Sequence, residues 1–120
     1  MKIGFIGLGN MAKAMIGGML QKKMVKPEDI IGTARTQATR EKMAAEYGIL
    51  AAEKNEDAAA QADVLVLAVK PQFLEEVIMQ IRNVTKPETL IISIAAGKSI
   101  QWIEDAFASS RWLRTERLNR

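Results

Sequence analysis

The sequence predicts an α/β domain: a doubly wound parallel sheet of about five strands with helices on both faces, three layers in all. Two observations carry that expectation. Short apolar runs alternate with amphipathic stretches along residues 1 to 107, and one run, Val64 to Val69, is apolar at every position. A strand apolar on both faces belongs inside a parallel sheet that is covered on both sides. A third observation bounds the size, since 120 residues can bury one respectable core but not two domains of ordinary size. Phe5, Phe73, Phe107, Tyr47, Trp102 and Trp112 are all the aromatics, so that core must be built from Ile, Val, Leu, Ala and Met.

Ile3 to Ile6 reads as the first strand, followed by a helix from about Asn10 to Lys23 in which Ala12, Met15, Ile16 and Met19 recur at helical spacing. Gly17 and Gly18 inside it cost about 1 kcal/mol each relative to Ala, which a close approach to the sheet or to another backbone would offset. Pro27-Glu28-Asp29 turns the chain into a second strand, Ile30 to Ala34. Thr36 or Thr39 can cap the next helix, which carries Met43, Ala44 and Tyr47 until Gly48 stops it. Ile49 to Ala51 is a short third strand, Asn55 begins a small helix through Ala60, and Asp63 to Val69 is the fourth strand. Pro71 opens a helix whose Phe73, Leu74, Val77, Ile78 and Ile81 form an apolar stripe. Thr89 to Ile94 is the fifth strand, and Ser99 can cap a last helix bearing Ile100, Ile103 and Phe107. Met11, Met15, Met19, Met24, Met43 and Met79 read mostly as core filler.

Composition excludes several chemistries. There is no cysteine, hence no disulfide, thiolate metal site or cysteine nucleophile, and no histidine to serve as general acid or metal ligand. No run reaches the roughly 18 apolar residues that cross a membrane, and the glycines and Asn10 break the apolar start that would resemble a signal peptide. A cytoplasmic protein with no membrane partner is the expectation. The net charge of +3 is local, because residues 1 to 107 carry 13 charges of each sign and the excess comes from Arg111, Arg114, Arg117 and Arg120 against Glu116. A nucleic-acid binder spreads positive charge over a folded face, so no nucleic-acid partner is expected, and the basic end reads as a frayed, solvated tail.

Gly7-Leu8-Gly9-Asn10-Met11-Ala12 follows the first strand and opens the first helix. In that context a Gly-x-Gly-x-x-small string places a dinucleotide pyrophosphate on a helix N-terminus, in a Rossmann-like fold. Gly7 permits the tight turn, Gly9 lets the pyrophosphate approach the backbone, and Ala12 allows close packing of helix on sheet; the plain alternative is a set of turn glycines without a ligand. After the second strand comes Arg35-Thr36 where NAD-specific enzymes place a carboxylate. Arg35 suits a 2′-phosphate and Thr36 can donate a hydroxyl, favouring NADP with NAD as the alternative; a solvated loop arginine is the bland account. Ala68-Val69-Lys70-Pro71 ends the strongest strand, so Lys70 is ligand-facing, toward phosphate, ribose or a substrate carboxylate, unless it merely caps the sheet edge. Ala95-Ala96-Gly97 is the matching loop after the fifth strand, where small side chains admit a bulky ring or simply make a tight turn. Asn55 fits either the adenosine half of a cofactor or a helix N-cap.

Three of these loops together, Ile6 to Ala12, Ala68 to Pro71 and Ser93 to Gly97, resemble the pyrroline-5-carboxylate reductase family over residues 1 to about 107. The resemblance implies NADPH-dependent reduction of 1-pyrroline-5-carboxylate to L-proline. Its cofactor contacts carry over to Leu8 through Met11, Arg35 by neighbourhood, Asn55, Ala68 through Pro71 and Ala95 through Gly97. Residues 108 to 120 do not match the sixth strand and helical domain with which that family continues, and read as truncated or non-native sequence. No catalytic residue is therefore assigned, and 1-pyrroline-5-carboxylate is a partner only where the remaining domain is supplied. Two other readings stand beside this one: the cofactor domain of another small-acid dehydrogenase, or a non-catalytic module that binds a nucleotide or forms a homo-oligomer.

Overall fold

The computed structural model describes residues 1–94, 103, 105, 107 and 114–117. Six strands, β1 (Ile3–Ile6), β2 (Ile30–Thr33), β3 (Leu50–Ala52), β4 (Val64–Leu67), β5 (Leu90–Ser93) and β6 (Arg114–Arg117), form one sheet in the order β3-β2-β1-β4-β5-β6. Every neighbouring pair is parallel. Helices α1 (Asn10–Gln21), α2 (Gln37–Tyr47), α3 (Asn55–Gln61) and α4 (Pro71–Ile81) connect the first five strands, with a 3-10 turn over Pro27–Asp29 before β2. Since β2 and β3 are laid to one side of β1 and β4 to the other, the strand order reverses at β1, the position where such sheets open a crevice at their carboxyl ends.

The expected elements are present with shifts of one or two residues at their ends, as the last turns of helices and strands commonly show. α1 stops at Gln21 and Lys23 takes a left-handed conformation, φ 55°. Thr36 is the cap of α2, accepting from the Thr39 N–H at 3.3 Å, and Gly48 ends that helix at φ 73°. Asn55 is not an N-cap: Lys54 holds that position, and Asn55 is the first residue inside α3. Ile103, Asp105 and Phe107 are helical, while Ala95-Ala96-Gly97 and the Ser99 cap lie outside the described residues.

The end of the chain differs from the frayed tail expected of it. Arg114–Arg117 is a strand, pairing Arg114 with Leu90 and Arg117 with Ser93. The open side of β5 offers backbone donors and acceptors to any segment, whatever its side chains, and a three-residue spacing of arginines carries no sign of that pairing.

Two apolar layers cover the two faces. On one, α3 and α4 with Ile103 and Phe107 enclose Ile6, Leu65, Leu67 and Ile91; on the other, Ala12, Ile16 and Met43 of α1 and α2 cover Ile3, Phe5, Ile30 and Val66. Of the methionines expected inside, Met43 is fully buried, whereas Met11, Met24 and Met79 are exposed. Gly18 has no atom within 4 Å of an added Cβ and Gly17 meets only the Tyr47 ring at 3.7 Å, so among the described residues no close approach explains the pair. At the amino end of the sheet, Asp63 accepts from the Lys2 backbone N–H and from Lys86 Nζ, both at 2.8 Å. The Lys86 ammonium and that N–H hold the Asp63 carboxyl below the usual carboxylate range. Among the described residues no helix is long and apolar enough to cross a membrane.

Candidate functional site

The carboxyl ends of β1 to β4 open onto a cleft of about 680 Å³. Its walls are the Gly7 and Gly9 turn, Thr33-Ala34-Arg35, the 53–56 segment before and into α3, Ala68-Val69-Lys70, and Phe73, Glu76, Val77 and Gln80 of α4. The two turn glycines have different reasons. Gly7 has φ 96°, and a Cβ there would stand 2.9 Å from the Ala68 carbonyl oxygen, so the fold itself demands glycine. Gly9 has φ −89°, open to any residue, and an added Cβ would find nothing within 4 Å. Among the described residues nothing requires Gly9 to lack a side chain.

Gly9 is also the N-cap of α1, which has no side-chain cap and no acidic residue in its first turn. The amides of that turn have no intrahelical acceptor, and the positive end of the helix dipole opens beside the cleft. α4 begins there in the same way, with Lys70 as an uncapped N-cap and Pro71 in the first turn. The side chain of Leu8 turns away from the cleft. It is buried in the α1 and α2 layer over Gly32, where an added Cβ would lie 2.5 Å from Leu8 Cδ2.

A chain of hydrogen bonds ties the turn to the far wall. The Gly7 N–H donates to Thr33 Oγ1 (3.1 Å), the Thr33 hydroxyl donates to Asn55 Oδ1 (2.7 Å), and Asn55 Nδ2 donates to Gln80 Oε1 (2.8 Å). Across the mouth, the Arg35 guanidinium lies over the Phe73 ring, 4.9 Å from its centroid, a cation–π arrangement. Arg40 Nη1 holds the loop beneath by donating to the carbonyls of Ala34 (2.8 Å) and Arg35 (3.1 Å).

Gly7, Gly9, Arg35, Asn55, Ala68, Val69 and Lys70 thus meet at one cleft, as their positions predict. Leu8, Asn10, Met11 and Pro71 adjoin it through the backbone of the turn and of the α4 start without lining it. Thr36 does not line the cleft: its hydroxyl donates to Thr39 Oγ1 (2.9 Å) and caps α2. The end of β2 carries no carboxylate, as the sequence shows, while Glu53, Glu56 and Glu76 share the cleft with Arg35, Lys54 and Lys70. The loop after β2 is free of acids; the loop after β3 and the α4 face are not.

Residues 2–97 match the profile of a family described as NADP oxidoreductase, coenzyme F420-dependent. The chain belongs to that family. Within this oxidoreductase family it matches pyrroline-5-carboxylate reductases. It is 45% identical over 96 residues to the enzyme of Pseudomonas aeruginosa, covering 80% of this chain and 35% of the relative. The structure of a pyrroline-5-carboxylate reductase from Coxiella burnetii superposes with a TM-score of 0.88 at 30% identity, over 97% of this chain and 42% of that one. A pyrroline carboxylate reductase from Plasmodium falciparum, solved with NADP bound, superposes with a TM-score of 0.77 at 27% identity, over 92% of this chain and 39% of that one. The chain therefore spans about two-fifths of the length of these relatives.

The cleft fits the phosphate-bearing nucleotide that such oxidoreductases use. Among the described residues, the space over Gly9 and the uncapped amides of α1 provide room and donors for a phosphate group. Thr33, Glu53, Lys54, Phe73, Glu76 and Gln80 escape sequence reasoning as site residues. Thr33 carried a usable signal, as a polar residue at the carboxyl end of a buried strand. Phe73 and Val77 sit in the apolar stripe of α4, yet Phe73 is only half-buried and faces the cleft with Gln80 two turns on.

Proposed function

We propose that this chain is the cofactor-binding domain of an NADPH-dependent pyrroline-5-carboxylate reductase, with NADH as the weaker cofactor. The observation that carries the proposal is the unfilled space over Gly9 at the uncapped start of α1, next to a cleft that ends at Arg35. The first-turn amides of α1 would hold the pyrophosphate, Gly9 leaving room for it and Gly7 shaping the turn. Arg35 would swing from Phe73 to the ribose 2′-phosphate, with Phe73 left as an apolar wall for the adenine. Asn55 would meet the adenosine, and Lys70, with the backbone of Ala68 and Val69, would border the nicotinamide side together with the 95–97 loop. The chemistry NADPH supplies when bound is hydride transfer, here to the carbon–nitrogen double bond of 1-pyrroline-5-carboxylate, giving L-proline. The chain's own share is to bind and orient the hydride donor; turnover depends on the part of the relatives' length that it does not span, since a half-built site positions reactants poorly. A cysteine-free chain suits the reducing cytoplasm.

Calorimetric titration with NADPH and then NADH, repeated in added salt, tests the reading. Saturable binding that favours NADPH and weakens with salt is expected. Absence of binding by either nucleotide would overturn it.

A further inference from the structure

We infer that Thr33 is a positioning residue for the adenosine half of the cofactor, acting through the orientation that it imposes on the Asn55 amide. The inference rests on the cofactor reading above. Thr33 is 2% exposed and ends β2, 26 residues from Gly7 and 22 from Asn55 in sequence. Its hydroxyl has a single proton. Oγ1 accepts from the Gly7 N–H at 3.1 Å, and among the described bonds the acceptor of the hydroxyl proton is Asn55 Oδ1 at 2.7 Å. Asn55 therefore presents Oδ1 to Thr33 and Nδ2 toward α4, where Gln80 Oε1 accepts at 2.8 Å. Turning the amide over would set an N–H against the Thr33 proton and an oxygen against the Gln80 oxygen.

The series runs in one direction, from the Gly7 N–H through the Thr33 proton to the Asn55 amide and Gln80. It leaves the second Asn55 amide proton and the Gln80 Nε2 protons as donors that the series can offer a ligand. Both are donors, which suits the ribose hydroxyl and phosphate oxygens and the ring nitrogens of an adenosine phosphate. The same hydroxyl holds the glycine turn through Gly7, so the pyrophosphate seat and the adenosine seat share one buried anchor. Gly7, in turn, gives its N–H to Thr33 and contributes none to phosphate.

The test is a double-mutant cycle on the whole chain, read by calorimetric titration of NADPH and of adenosine 2′,5′-bisphosphate, with melting curves for each variant. Thr33→Val should weaken both ligands about tenfold, the effect of losing one well-placed hydrogen-bond anchor, and Thr33→Ser should stay within about twofold of the parent. In an Asn55→Ala background, Thr33→Val should add less than about threefold, because the residues act as a unit. A merely structural role would lower the melting temperature and leave the affinity of the folded protein unmoved. Parental affinity in Thr33→Val, or losses that multiply in the double variant, would overturn the inference while leaving the cofactor reading intact. If the parent chain itself binds no NADPH, both fall. Should Thr33→Val fail to fold, Gln80→Leu at the exposed end of the series is expected to weaken both ligands about threefold, and unchanged binding there overturns the inference.

Discussion

Replacing each turn glycine by alanine separates a residue the fold needs from one the ligand needs. At Gly9 the backbone, φ −89° and ψ −168°, is open to alanine and a Cβ meets none of the described residues within 4 Å. Alanine is a poorer N-cap than glycine by roughly 0.5 kcal/mol, which about cancels the 0.4–1 kcal/mol gained by restricting the unfolded chain. The melting temperature should stay within about 3 °C of the parent. NADPH binding should suffer, because the methyl group occupies the space in which a phosphate oxygen would reach the α1 amides. Loss of one charge-assisted hydrogen bond, about 1.5–3 kcal/mol, raises Kd about 10- to 100-fold. Gly7→Ala should do the reverse in emphasis. Its φ of 96° costs an L residue about 1–3 kcal/mol, before the contact of 2.9 Å with the Ala68 carbonyl oxygen is relieved. That corresponds to a fall of about 4–12 °C in melting temperature. Differential scanning calorimetry and isothermal titration on both variants decide the matter. NADPH binding of parental strength by Gly9→Ala would refute the placement of phosphate over Gly9, and a deep loss of stability in that variant would show that the space over Gly9 serves the fold.

Three further outcomes are expected. Arg35→Ala should weaken NADPH about 10- to 100-fold, the worth of a hydrogen-bonded charge, and NADH by less than about threefold; equal losses in titrations of the two would remove the 2′-phosphate role. Gly18→Ala, in an exposed helix interior with open space for the methyl, should stabilise the chain by about 1 kcal/mol in urea unfolding, and no gain would mean that the space is occupied. Asp63 has a folded pKa below its unfolded value, so the unfolded state binds more protons in the acid range and stability rises with pH there. Its contribution is present above the ordinary carboxylate range, about 3.9, and is lost as pH falls through the folded value. Urea unfolding of Asp63→Asn should accordingly show a reduced advantage of neutral over acid pH, and an unchanged pH profile would show that the contacts with Lys86 and Lys2 carry no linkage.

What the sequence by itself determined is whatever depends on near neighbours along the chain. The alternation of strands and helices, the glycine turn that follows β1, the Gly48 stop and the Pro71 start all rest on periodicity and turn chemistry within a few residues, and all are found. Strand order and the carboxyl-end cleft follow from the same alternation, because parallel strands with crossover helices have few ways to assemble. Only the tertiary structure decided which side chains meet. The Gly7, Thr33, Asn55 and Gln80 series joins residues 22 to 26 positions apart at every step, and Arg35 reaches Phe73 on a helix two crossovers away. Strand register and helix depth fix such contacts, and no local pattern encodes them. The same limit hid Glu53 and Glu56 behind an acid-free β2 loop, and hid the pairing of Arg114–Arg117 with β5, where backbone hydrogen bonds to an open edge outweigh what the side chains suggest. The Thr36 cap of α2 lies on the local side of that divide, because its hydroxyl and the Thr39 amide that donates to it are three residues apart.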